Sequence, residues 1–294
     1  MHAAARALGV SQPAMSRLLG EAEALAGMVL FERSRQGSRP TPKGVPFLTQ
    51  ARLVLRGFER LADPVVRAPI RLGCIARSMH TLMPALLQRV YPVRSGTHAD
   101  RAIDLRFRLT EGSSTALLEA VANGRLDFAI LRAVGADVGE RGLVAERLYE
   151  ERTVIICAAN NHALPAATVS LARLAEHDWV LPDAETASRG VFDRFWTERG
   201  LPLVRPLIEA RSFETNLALV AKTRFLSVAP ESVARRHEAS GAVRILHSRP
   251  ALPSSPVMLV HAKSAAADPL LEGFRGAVHE AAAQARASLR RRGG

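Results

Sequence analysis

Apolar residues recur at helical spacing in the first part of the chain. Met15, Leu18, Leu19, Ala22 and Leu25 fall three to four residues apart and predict one amphipathic helix. Ahead of it, residues 3–8 read as a short Ala-rich helix with Leu8 on its buried side, stopped at Gly9, because glycine takes φ > 0 without steric cost. Ser11 supplies an N-cap hydroxyl, and Pro13 falls in the first turn, where its missing N–H is harmless. Helix, glycine turn and capped helix form a helix-turn-helix pattern. Leu30-Phe31-Glu32-Arg33 then predicts a short strand, Gln36-Gly37-Ser38-Arg39 a turn, and Pro40-Thr41-Pro42 the return of the chain, together a basic wing. From Phe47 to Ala62, the positions Leu48, Ala51, Leu55, Phe58 and Ala62 step by three and four, an a/d seam suited to pairing with a second copy. The alternative is one helix packed on its own domain. Pro46 lets this helix start no earlier than Gly44 or Val45, and Pro64 and Pro69 mark a hinge after it.

Beyond Pro69 the texture changes to alternating strands and helices. Strands are predicted at Ile70–Ile75, Ile103–Leu109, Asp127–Leu131, Thr153–Ala158, Trp179–Pro182, Phe225–Ala229, Val243–Leu246 and Val257–Val260. Helices are predicted from Ser78 as N-cap through Leu82, Leu86, Leu87 and Val90, over Thr115–Ala122, and near 189–199, 215–222 and 268–290. This alternation predicts an α/β fold with mostly parallel sheets. It leaves open whether these residues form one domain or two lobes.

The charge is uneven. The 294-residue chain carries a net charge of +12. Residues 1–62 hold nine Lys and Arg against four Glu, a small basic head that suits a polyanion. A merely soluble Arg-rich surface is the plainer alternative. No run of 18 apolar residues and no signal-like apolar stretch occurs, and Cys74 and Cys157 stand far apart. Cytoplasmic residence without a membrane is therefore expected, with no disulfide framework. The nine histidines are scattered with none at metal spacing, and the usual hydrolase-elbow, phosphate-loop and His-Glu-x-x-His motifs do not occur. Neither catalytic residues nor a metal or other cofactor is expected.

Ala4-Ala5-Arg6-Ala7-Leu8-Gly9-Val10-Ser11-Gln12-Pro13-Ala14-Met15-Ser16-Arg17 resembles the signature of LysR-type transcriptional regulators. The likeness continues in register through Glu23, Gly27, Leu30-Phe31-Glu32-Arg33 and Thr41-Pro42-Lys43-Gly44. Weaker markers follow at Ile70–Gly73, Glu111–Ser113, Leu117–Val121, Gly124–Ile130 and Leu217–Ala221. The resemblance implies an N-terminal winged helix-turn-helix over 1–62, with a linker helix at about 47–62 that pairs subunits. It further implies a two-lobed, periplasmic-binding-protein-like effector domain of type 2 over 63–294. Lobe I is expected at about 70–157 and 261–290, and lobe II at about 158–260. The implied function is DNA binding modulated by a small-molecule effector, as a homodimer or homotetramer. The family pattern also has a helix ahead of Ala3; a start codon assigned too far downstream is the first expectation, and a real truncation the second. Lys222-Thr223-Arg224 stands where the family has a glycine-rich turn.

On that pattern the second helix enters the major groove of double-stranded DNA, N-terminal residues foremost. Gln12 can pair with adenine, Ala14 can touch a thymine methyl, and Pro13 keeps the helix front narrow. Ser11 and Ser16 suit phosphates, Arg17 can reach either a phosphate or a guanine, and Arg33, Arg39, Thr41 and Lys43 flank the wing. Leu48, Ala51, Leu55 and Phe58 are the expected dimer contacts.

For the effector, strand ends meeting helix N-termini are the natural place. Arg77, Ser78, His80 and Thr81 follow the first strand of the second region, and Thr110 and Glu111 the next. Arg132 follows a third, and Phe213 and Thr215 open a later helix. These groups suit a small carboxylate, a phosphate or the hydroxyls of a sugar. Met79–Pro84 is also similar to regulators of a galactose-binding-protein type, which implies a sugar or sugar acid. Two rival functions remain: a dimerising ligand-binding relative that no longer binds DNA, and, more distantly, a dehydratase-like enzyme on the same fold.

Overall fold

In the computed structural model, residues 2–34, 37–62, 69–91, 105–132, 138–139, 141–165, 168–184, 186–263, 265 and 268–291 are described. By internal contacts the chain divides into two units, Met1–Pro69 with Ala122–Arg125, and Ile70–Val121 with Leu126–Gly294.

The first unit begins with α1 (His2–Ala7) and α2 (Gln12–Ala26). Gly9 sits between them at φ 65°, as the glycine stop predicts. Ser11 caps α2, its Oγ accepting from the Ala14 amide at 3.3 Å. Gly27 ends α2 at φ 64°. The Glu23 carboxylate accepts from the amides of Leu30 and Phe31, at 2.8 and 3.1 Å, and ties the helix to the wing. The wing pairs β1 (Phe31–Ser34) antiparallel with β2 (Gly37–Pro40), setting Glu32 opposite Arg39. Arg39 therefore stands on a strand and not in the turn; Gln36 and the hinge at Pro64 lie outside the described residues.

The long helix α3 (Gly44–Ala62) starts at the earlier of the two positions that Pro46 allows. Thr41 sets its entry: the hydroxyl donates to the Val29 carbonyl and accepts from the Gly44 amide, each at 2.8 Å. Only glycine fits at 44, since a Cβ there would lie 2.2 Å from the Leu30 carbonyl oxygen. The expected burial of Leu8, Leu18 and Leu25 does not occur: they are 64, 48 and 91% exposed, because no described element covers that face.

In the second unit, β3 (Ile70–Cys74) runs parallel to both β4 (Phe107–Glu111) and β5 (Phe128–Arg132), through the helices α4 (Ala76–Val90) and α5 (Ser114–Ala122). The sheet is not mostly parallel. The 16-residue β6 (Leu143–Ala158) pairs antiparallel with β13 (Ser254–Ala262), which is itself antiparallel to β5. The chain leaves this sheet along β6 and comes back along β13 in the opposite direction, so β13 lies antiparallel to both of its neighbours. Beyond Arg152, β6 changes partners and pairs with β10 (Ser227–Pro230) and β11 (Val243–Leu246). The strand predicted at Thr153–Ala158 is only the end of β6, which starts ten residues earlier at Leu143.

Separate cores form on either side of that exchange. One gathers Leu72, Leu82, Leu86, Phe128, Ile130, Val257 and Leu259 with residues of α10 (Pro269–Arg291). A second is built on Trp179, Phe192 and Trp196, and a smaller one on Ile156, Leu217, Val220 and Val233. Trp179 and Trp196 meet edge to face with ring centroids 5.7 Å apart, an arrangement favoured by the aromatic quadrupole. The stretch of chain from β6 to β13 supplies α6 (Leu171–Ala175), α7 (Ala187–Thr197), α8 (Phe213–Ala221) and α9 (Glu231–Ala239), with the short strand pairs β7 (Val169–Ser170) and β12 (Ser248–Arg249), and β8 (Val180–Leu181) and β9 (Ile208–Glu209). Thr223 serves where a glycine turn was expected: its hydroxyl donates to the Leu219 carbonyl at 2.9 Å and accepts from the Phe225 amide at 3.2 Å.

Candidate functional site

A cavity of about 490 Å³ opens in the second unit, a size suited to a small organic molecule. Four helices begin at its walls. Ile75, Ala76 and Arg77 lead into α4, Ser113, Ser114 and Ala116 into α5, Thr186 and Ser188 into α7, and Phe213 into α8. Local capping explains three of these starts: Ser113, Thr186 and Ser212 each accept from an amide three residues on. Helix N-termini carry partial positive charge, so their convergence favours an anion.

Two arginines reinforce that field. Arg77 and Arg132 are 2 and 4% exposed. Arg77 Nη2 and Arg132 Nη1 both donate to Ser188 Oγ, at 3.1 and 2.8 Å, and Arg132 Nη2 donates to Ser255 Oγ. Arg77 Nη1 is buried without a partner, and the Arg77 guanidinium lies 5.8 Å from the Phe213 ring centre. Burial lowers the pKa of both, and for Arg132 the neighbouring Arg77 adds to it, bringing it down to about 9. Arginine keeps its proton even in protein interiors, so both guanidiniums carry charge. Glu111, Gly112 and Arg211 complete the lining, Arg211 reaching Asp183 at 3.0 Å.

Of the expected effector residues, the structure brings together Arg77, Glu111, Arg132 and Phe213. It does not bring in the other five. Ser78 is not the N-cap, because α4 begins at Ala76 after an extended Ile75; Ser78 is buried within the first turn. Thr81 donates to the Arg77 carbonyl at 2.9 Å. His80 faces Glu214, 3.5 Å away, which Arg236 also reaches at 2.9 Å. Thr110 is exposed on β4, and Thr215 lies beyond the Ser212 cap, its amide accepted by that hydroxyl. The sequence had not pointed to Thr186, Ser188 or Arg211; the hydroxyl three residues before Arg189, at a helix start, was the one local signal for the α7 corner.

In the first unit Ser11, Gln12, Pro13 and Arg17 are exposed at the front of α2, while Ala14 and Ser16 are half-buried. Arg39 and Lys43 are exposed beside the wing, and the side chain of Arg33 lies outside the described residues. Thr41 is a correction: it is 8% exposed and its hydroxyl is fully engaged in seating α3. Along α3, Leu48 and Ala51 are half-buried, whereas Val54, Leu55 and Phe58 are 72, 61 and 68% exposed.

Comparison with known proteins agrees with this division. Residues 1–45 match the bacterial regulatory helix-turn-helix protein, lysR family, and residues 65–283 match the LysR substrate binding domain. The HTH-type transcriptional regulator GbpR of Azospirillum brasilense is 27% identical over 248 residues, 84% of this chain and 71% of that protein. ArgP from Mycobacterium tuberculosis shares the fold with a TM-score of 0.70 at 19% identity, over 95% of this chain and 90% of that one. The effector binding domain of QuiR in complex with shikimate shares it with a TM-score of 0.60 at 18% identity, over 74% and 99%. No described helix is long and apolar enough to cross a membrane. The chain belongs to the LysR family of DNA-binding transcriptional regulators, with an effector-binding domain following its helix-turn-helix.

Proposed function

We propose that the cavity takes a small carboxylate effector, and that its occupancy alters how a homo-oligomer engages double-stranded DNA. The observation that carries this reading is the pair of buried guanidiniums converging on Ser188 where four helices begin. A neutral sugar would satisfy hydroxyls but leave the buried charge uncompensated, whereas a carboxylate accepts from both arginines in charge-assisted hydrogen bonds. The QuiR domain holds shikimate, a hydroxylated carboxylate, on the same fold. The change of partners along β6 at Arg152–Thr153 supports two lobes joined there, with the cavity between them.

For DNA, the exposed front of α2 supports Gln12 as the base reader, with Ser11, Arg17, Arg39 and Lys43 on phosphates. The exposed Val54, Leu55 and Phe58 support pairing of two chains through α3. Phe58→Glu is then expected to dissociate the assembly in sedimentation velocity.

The test combines calorimetry and DNA anisotropy on the full chain with a panel of small carboxylates and neutral sugars. A carboxylate should bind and shift DNA affinity, and Arg77→Met or Arg132→Met should weaken it by at least about tenfold. Equal binding of a neutral sugar by the wild type and both variants would overturn the carboxylate assignment.

A further inference from the structure

One carboxylate is sealed in beside the two arginines. Glu151 is 2% exposed and is not part of the cavity lining. It stands directly opposite Ser255 in the β6–β13 ladder, and Ser255 accepts from Arg132. Cross-strand partners of this kind have Cβ atoms about 5 Å apart on one face of the sheet, so Glu151 stands beside the serine that Arg132 bonds, and its charge acts on the Arg132 guanidinium. Its Oε1 accepts from the Ser232 amide at the start of α9, at 3.1 Å. Its Oε2 is buried without a partner, like Arg77 Nη1. Glu151 hydrogen-bonds to neither arginine, yet its field opposes the effect of burial on both.

The buried groups therefore amount to two positive charges and one negative. Other nearby charges do not alter that balance. Glu150 is held by Arg147 at 2.7 Å, and Arg211 by Asp183 at 3.0 Å. Glu111 is exposed at the cavity wall, where water screens it, and its sign opposes a second carboxylate on the ligand.

We propose that Glu151 sets the charge class of the effector. By neutralising one of the two guanidiniums in advance, it leaves the site one positive charge to be balanced, so that the cavity takes a monocarboxylate and rejects the dicarboxylate of the same skeleton. This rests on the assignment of the cavity to a carboxylate. Both arginines still serve as donors, while burial of a second anionic group would go uncompensated.

Matched probes test it on the full-length protein by calorimetry: butyrate against succinate, and benzoate against phthalate. The wild type should bind the monocarboxylate of a pair at least about tenfold more tightly. Glu151→Gln keeps an oxygen for the Ser232 amide but removes the charge; it should narrow the ratio to within about threefold or invert it. Glu151→Asp should retain the wild-type preference. A wild-type preference for the dicarboxylate overturns the proposal whether or not the Gln variant folds, and so does an unchanged ratio in a folded Glu151→Gln. If no probe binds, or binding is indifferent to Arg77→Met and Arg132→Met, the carboxylate assignment fails first and takes this proposal with it.

Discussion

Arg77 and Arg132, 55 positions apart in the chain, share one acceptor, the Ser188 hydroxyl, at 3.1 and 2.8 Å. Two like charges held to one neutral oxygen form an arrangement that waits for an anion. Ser188→Ala should leave two buried donors unsatisfied, at about 1–3 kcal/mol. The variant should melt earlier than the wild type, and a bound carboxylate should recover more of its stability than it adds to the wild type. Identical melting would show that the guanidiniums do not depend on this hydroxyl.

Far from the cavity, Glu146 accepts from His261 and Arg275, each at 2.9 Å, and from His279. Burial pushes its pKa up, but hydrogen bonds from these three outweigh that and hold it at about 2 against an ordinary 4.5. With the folded value depressed, the unfolded chain takes up the proton first. The contribution is thus complete above pH 4.5 and lost as pH falls from there through about 2. Thermal melts should show the wild type losing stability across that window more steeply than Glu146→Gln. Parallel profiles would remove Glu146 from the account of acid sensitivity.

Gly44→Ala tests the seat of α3. The added methyl would meet backbone, the Leu30 carbonyl oxygen at 2.2 Å, which cannot swing aside as a side chain can. A cost of about 1–3 kcal/mol or more is expected, with weakened DNA binding because the wing and α3 meet there. Circular dichroism melts and DNA anisotropy check both halves of the expectation.

At the DNA face, Gln12→Ala should cost about 1–3 kcal/mol at one base position and relax preference there. Lys43→Ala should instead weaken all sequences alike and lower the salt slope by about 1. Salt-titrated anisotropy on an operator and on scrambled DNA separates these outcomes. A uniform loss for Gln12→Ala would move it from base reader to phosphate contact.

The parts of the fold legible in the sequence are those decided locally. Gly9, the Ser11 cap and the step from Phe31 to Thr41 depend on neighbours within a few residues, and the helix-turn-helix followed from them. Strand direction did not, because the return of β13 between β5 and β6 is a pairing between distant segments. The same limit applies at the cavity. Arg77, Glu111 and Arg132 were visible as groups at strand ends, but Ser188 acquires its meaning only when α7 is folded against them. His80 and Thr81 follow Arg77 by three and four positions, on its face of α4 but one turn further along the helix, where they meet Glu214 and the Arg77 carbonyl instead.

Because β5 finds one of its two neighbours only at β13, with Arg132 set against Val257, the edge of β5 stays open until synthesis has passed Ala262. Everything from β7 to β12 must be made in the interval, while an apolar edge is available to other chains. A polypeptide cut short before Ser254 thus loses more than its last helix: the first core is left unclosed, and aggregation rather than a smaller folded protein is its expected fate.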